Sequence, residues 1–169
     1  MWAMSPRTPA AKPGRQRDPG APPKPKRPRD ELGRPLSWTA ENRLQLEDYD
    51  SLSLEENHRL GIEHLNAERF FPAHEAWETC WKQAKETKEA EFFKGLSQLG
   101  AGYTHLLRGN LHGAHTLLRR GAGRILRYPS PHRGIDVESL GEVAMAQANS
   151  IERAEKSGGG PPELDFPKI

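Results

Sequence analysis

A chain of 169 residues is long enough for one domain of ordinary size, and a mean hydropathy of −0.84 keeps a good part of it outside any core. No apolar run is long enough to cross a bilayer and the start of the chain lacks the apolar stretch of a secretory signal, so a cytoplasmic protein without a membrane role is expected. Residues 1–35 hold nine Lys/Arg against three acids and are thus +6, leaving −4 for the remainder of a chain whose total is +2; basic contacts to nucleic acid are confined to that segment, and nucleic acid is not expected as the main partner.

The same segment contains nine prolines and almost no large aliphatic residues, too little apolar surface to offset the entropy of ordering. Residues 1–50 are therefore expected to be a disordered, basic, Pro-rich tail and a transitional stretch, 51–156 the folded domain, and 157–169, opening "SGGGPP", a flexible C-terminal tail.

Ser53 followed by Glu56 is a capping box, and the helix it starts runs to about Ala67 with Leu54, His58, Ile62 and Leu65 inward. In the next, Pro72 suits the first turn, where its missing N–H is not needed, and Phe70, Ala73, Trp77, Cys80, Trp81 and Ala84 share one face. The lone Cys80, within that face, reads as a small buried hydrophobe. A third helix, capped by Thr87 and carrying Glu89 and Glu91 at its positive end, runs to about Arg108 with Phe92, Leu96, Leu99, Tyr103, Leu106 and Leu107 as its stripe. Gly95 and Gly102 inside it imply close neighbours. Gly109 ends it, and Asn110 caps a fourth helix with Ala114, Leu117, Leu118, Gly121, Ile125 and Tyr128 inward and Arg119, Arg120, Arg124 and Arg127 solvated. Asp136 caps a fifth, lined by Leu140, Ala144, Ala148 and Ile151. No strand-like alternation of useful length occurs, so the fold expected is all-α, a compact antiparallel bundle of four to five helices with sequential neighbours.

Chemistry-bearing residues gather in "FFPAHEAWETCW" and the helix after it. His74 and Glu78, four apart, share a row that Trp81 continues, while Glu75 points about 100° away. Glu91, Gln98 and His105 lie one heptad apart on the third helix. Antiparallel packing would bring the rows of His74 and Glu78 and of Gln98 and His105 together over tryptophan. His74, Glu78 and His105 would then be metal ligands, Glu75 a general base, and Trp77, Trp81, Gln98 and Glu91 the lining. The alternative is a buried polar cluster whose mutual hydrogen bonds set helix register without any metal. The other five histidines receive no role.

The runs "FFPAHEAWETCW", "EFFKGLSQLGAGYTHLLRGNLHGAHTLLRRG" and "Y…GID" resemble the bacterial family known as Domain of Unknown Function 309, over about residues 55 to 140, and "RPRDELGRPL" resembles the tail of actinobacterial members. The resemblance implies a small all-helical protein labelled a metal-dependent hydrolase, with His74, Glu75, Glu78, Trp81, Gln98, His105, Gly109 and Asn110 at matching positions. Members commonly carry an acidic residue where this chain has Pro72. Beside a hydrolase with a divalent metal and a small-molecule substrate stand two other readings: a scaffold that binds protein, and a homo-oligomer that covers exposed aromatic surface.

Overall fold

The computed structural model describes residues 25–169. Of the basic tail, residues 1–24 lie outside the described residues. Among the described residues there are five α-helices, α1 (Leu54–Asn66), α2 (Phe70–Gln83), α3 (Ala90–Leu107), α4 (Leu111–Ile125) and α5 (Val137–Lys156), preceded by a single 3-10 turn at Tyr49–Ser51 and accompanied by no strand. The main packing joins each helix to the next in sequence, and none of these helices is long and apolar enough to cross a membrane.

Local chemistry sets most of the boundaries. At the start of α1 the Ser53 hydroxyl accepts from the Glu56 N–H at 3.2 Å while the Glu56 carboxylate accepts from the Ser53 N–H at 2.8 Å, which satisfies two end groups at once. The Asn110 side chain accepts from the Gly113 N–H at 3.0 Å, and Asp136 does the same for Ser139 at 3.0 Å. Gly109, with φ of +77°, makes the left-handed turn between α3 and α4. Thr87 is not the cap of α3: it closes the preceding turn, and the helix begins at Ala90.

One continuous core runs through all five helices. Phe70, Ala73, Trp77, Cys80 and Ala84 are buried as their spacing required, and burial pushes the Cys80 thiol up to about 12, which leaves it inert. Trp81 stays half-exposed at the rim, where Lys94 lies over its ring at 5.1 Å. Leu107, expected inward, is exposed, whereas Phe93 is buried beside Phe92. Arg119 and Arg124 are not merely solvated, because Arg119 pairs with Glu152 on α5 and Arg124 with Glu91 on α3.

Both flanks of the domain lie against it. The Asp30 carboxylate accepts from the N–H groups of Leu32 (3.0 Å) and Arg34 (2.8 Å), and the turn so formed offers the Leu32 carbonyl to Arg108 at the end of α3. At the other end, the segment expected to be a flexible tail packs Phe166 on Phe70 and Tyr103, with centroids 4.8 and 5.5 Å apart. Ile169 exchanges two main-chain bonds with the Asn66 amide, at 2.7 and 2.8 Å. The apolar side chains beyond the glycines find an aromatic surface that α1 to α5 leave uncovered, and that burial offsets the ordering entropy.

His58, given no role above, is a structural hub. The Trp77 indole N–H donates to His58 Nδ1 at 3.1 Å, which leaves Nε2–H to donate to the Arg133 carbonyl at 2.9 Å and ties the α4–α5 loop to α1 and α2. Burial holds this imidazole below the ordinary 6.5, outweighing the Arg133 carbonyl, which favours the charged form. A depressed base contributes stability that is complete above its unfolded pKa and lost as pH falls below it. Thermal midpoints measured from pH 7.5 to 5.5 should therefore fall, and more steeply in the wild type than in His58→Gln; equal slopes would show that this imidazole does not titrate against folding. Glu55, His132 and Arg133 are the charged groups around it.

Candidate metal centre on helix α2

The site begins where α2 and α3 touch. Gly100 brings the two backbones so close that a Cβ there would lie 2.8 Å from the His74 nitrogen. This crossing places Ser97, one turn earlier on α3, under the His74 ring. His74 Nδ1 donates to the Ser97 carbonyl at 3.0 Å with the Ser97 hydroxyl at 2.9 Å, and that hydroxyl donates on to the His74 carbonyl at 3.3 Å. The tautomer follows from the carbonyl: Nδ1 carries the proton, and the Nε2 lone pair faces outward.

Two carboxylates meet that lone pair. Glu75 Oε1 and Glu78 Oε2 each lie 3.6 Å from His74 Nε2, too long for a hydrogen bond. The three donor atoms fall within 4.8 Å of one another. An ion with bonds of about 2.0–2.2 Å holds tetrahedral ligand atoms roughly 3.3–3.6 Å apart, so both His–Glu spacings fit one. The backbone carbonyl behind Nδ1 is the outer support that metal-binding imidazoles ordinarily have. The side chains are 24, 31 and 32% exposed, open enough for an ion to enter.

A cavity of about 420 Å³ adjoins the group, bounded by Glu75 and Glu78 together with Glu47, Asp48 and Asp50, against which stand only Lys26 and Lys82. Five carboxylates facing two ammonium groups make this a negative groove that concentrates cations. Lys82 lies 3.6 Å from Glu78 Oε1, a pairing across a well-exposed lysine that a doubly charged ion would displace. On its far wall the Glu47 carboxylate accepts from the Tyr49 hydroxyl at 2.7 Å and lies 3.1 Å from the buried His64. Burial works to raise the Glu47 carboxyl, yet these bonds hold it below its ordinary value, and the same burial with Glu47 alongside pushes the Tyr49 hydroxyl up.

Other residues expected at the site are placed differently. His105 is not among the three clustered groups: the Asn110 amide donates to its Nδ1 at 2.9 Å, and burial, with the charge of Arg108, holds it below the ordinary 6.5. Seven residues separate Gln98 from His105, but Gln98 faces α4, where its amide oxygen accepts from Arg124 at 3.0 Å, and Glu91 pairs with the same arginine. Trp77 lies wholly in the core rather than on the lining, and Trp81 is at the rim. Glu75, assigned a direction 100° away, reaches the cluster because its side chain is long enough to bend across the helix face. Gly109 and Asn110 form the turn as expected. Ser97 was missed: a serine between leucine and glutamine on an apolar helix carries no signal until the helix opposite is known.

Residues 58–117 match the family model described as Domain of unknown function (DUF309). No curated protein and no solved structure matches the chain. The matched stretch takes in α2, α3 and the turn to α4, hence His74, Glu75, Glu78 and Ser97, so the chain carries a DUF309 domain whose span includes the whole α2 cluster.

Proposed function

We propose that His74, Glu75 and Glu78 serve a divalent cation and that the domain is a metal-dependent hydrolase of a small molecule entering the acidic groove. The observation that carries this reading is the outward Nε2 of His74 with a carboxylate oxygen on either side at 3.6 Å while its Nδ1 is held by Ser97. One imidazole and carboxylate oxygens suit zinc or a neighbouring transition ion better than calcium or magnesium, which favour all-oxygen sites. Such an ion supplies Lewis acidity and makes water acidic enough to be a nucleophile near neutral pH.

Within the chain, Ser97 fixes the imidazole, Glu78 completes its helical row as second ligand, and Glu75, which borders the groove as Glu78 does, would take the proton of the attacking water. The charge of the groove favours substrates with a cationic or neutral end.

Zinc titration of tag-free, chelator-stripped protein tests this. His74→Ala should weaken one equivalent of binding by more than about 100-fold, since loss of an orienting partner alone costs about 10–100-fold. Glu75→Gln should retain the metal while losing about 100- to 10,000-fold in turnover of an activated ester or phosphate, the range for a general base. Equal stoichiometry and affinity in wild type and His74→Ala would reject the reading.

A further inference from the structure

A second cluster stands where the first turn of α4 meets the last turn of α5. His112 and His115 are three apart on α4 and so project from one side of it, and Glu155 reaches them from α5. Glu155 Oε2 accepts from His115 Nε2 at 2.7 Å, and Glu155 Oε1 lies 3.5 Å from His112 Nδ1, so one carboxylate spans both rings. The rings stand edge to face with centroids 5.2 Å apart, and the three donor atoms fall within 4.8 Å of one another.

The surroundings leave this carboxylate available. Of the neighbouring cations, Arg119 is taken by Glu152 at 2.8 Å and Asn149 at 2.9 Å, and Lys156 by Glu152 at 3.1 Å. Packing fixes the His115 ring, whose side chain is 7% exposed, whereas that of His112 is 75% exposed and can swing onto an incoming ion. His115 is also one of the few described residues with a buried, unpartnered polar atom, its Nδ1. A plain histidine–carboxylate pair explains His115 and Glu155 alone; it leaves the second imidazole, poised beyond hydrogen-bond length, without a purpose.

We propose that His112, His115 and Glu155 form a second divalent-cation site, independent of the α2 cluster, that staples the start of α4 to the end of α5. Two imidazoles and one carboxylate select zinc, nickel or copper(II) over calcium and magnesium. The 3.5 Å spacing already suits an ion, and the 2.7 Å contact opens by less than about 1 Å to admit one. Ligation at Nε2 puts a proton on the unpartnered Nδ1 of His115, and the missing outer acceptor makes the site about 10–100-fold weaker than a fully supported one. The ion binds the folded chain and crosslinks two helices, so it stabilises by mass action.

The test uses the full chain without a histidine tag, stripped with chelator and titrated with zinc in a His74→Ala background, which silences the α2 cluster. One equivalent should bind and raise the thermal midpoint, and both effects should disappear on adding His112→Ala, an exposed position that leaves folding intact, or Glu155→Gln. Uptake in the His74→Ala background that is unchanged by His112→Ala and by Glu155→Gln overturns the proposal, as does complete loss of binding in His74→Ala alone. Failure of the α2 reading looks different: wild type and His74→Ala would then bind alike, with His112→Ala still abolishing the equivalent seen.

Discussion

Trp77→Ala should cost the domain about 3–5 kcal/mol, the range for deleting a large buried aromatic side chain. With total stabilities of about 5–15 kcal/mol for domains of this kind, that loss can leave the variant largely unfolded at 37 °C. The size follows from what the indole does. It is wholly buried at the centre of the α1–α2 contact, it lies so near Gly61 that a Cβ there would overlap its ring, and its N–H is the donor that sets the His58 tautomer. Through His58 the same residue holds the Arg133 carbonyl, so the cavity and the broken chain of hydrogen bonds add on one spot. Trp77→Phe separates these contributions: it keeps most of the ring volume but leaves His58 Nδ1 without its donor, for about 1–3 kcal/mol plus the smaller cavity. Urea unfolding of the three proteins checks this, and an alanine variant within about 1 kcal/mol of wild type would contradict the packing described.

Gly100→Ala should destabilise as well, and should damage the α2 cluster from a distance. The added carbon would lie 2.8 Å from the His74 nitrogen, 3.0 Å from its Cα and 3.1 Å from the Phe70 carbonyl oxygen. All three are main-chain atoms of α2 that no rotamer change can move, so the helices must part. Overpacking of this kind costs about 1–3 kcal/mol. Helix propensity returns up to about 1 kcal/mol for replacing a mid-helix glycine, and the clash prevails because rigid backbone stands on both sides. The Ser97–His74 bonds span the same contact, so zinc affinity at the cluster should fall by about 10–100-fold, the usual effect of losing outer support. Gly123→Ala is the control: nothing lies within 4 Å of its added carbon, and the change should stabilise α4 by up to about 1 kcal/mol. If Gly100→Ala behaved like Gly123→Ala in denaturant and in zinc titration, the close crossing of α2 and α3 would not be what positions His74.

Asn110 and Asp136 cap α4 and α5 as expected because a cap is an exchange among residues three apart. Thr87 is not the cap because α3 starts only at Ala90: its hydroxyl donates back to the Ala84 carbonyl and accepts from the Glu89 N–H, which lies before the helix. His58, placed inward by its spacing, and His64 and His115 received no role, yet all three are buried in hydrogen-bonded positions, because their partners lie 15 to 75 residues away in the chain. The heptad of Glu91, Gln98 and His105 does share a side of α3, but Arg124 claims its first two members from α4, and Asn110 claims the third.

What the amino-acid order alone determined is the helical periodicity, the capping box of α1, the caps of α4 and α5 and the turn residues, and hence an antiparallel all-α bundle with a His74–Glu78 row on its second helix. These depend on interactions within about four residues and on short connections, which the order of residues specifies directly. Only the tertiary structure decided that Glu75 joins that row, that His105 and Gln98 turn elsewhere, that Ser97 steadies the imidazole, and that Glu155 meets His112 and His115. Those outcomes rest on how closely neighbouring helices approach and which rotamers the approach permits, and both are properties of the packed molecule that no single stretch of chain contains.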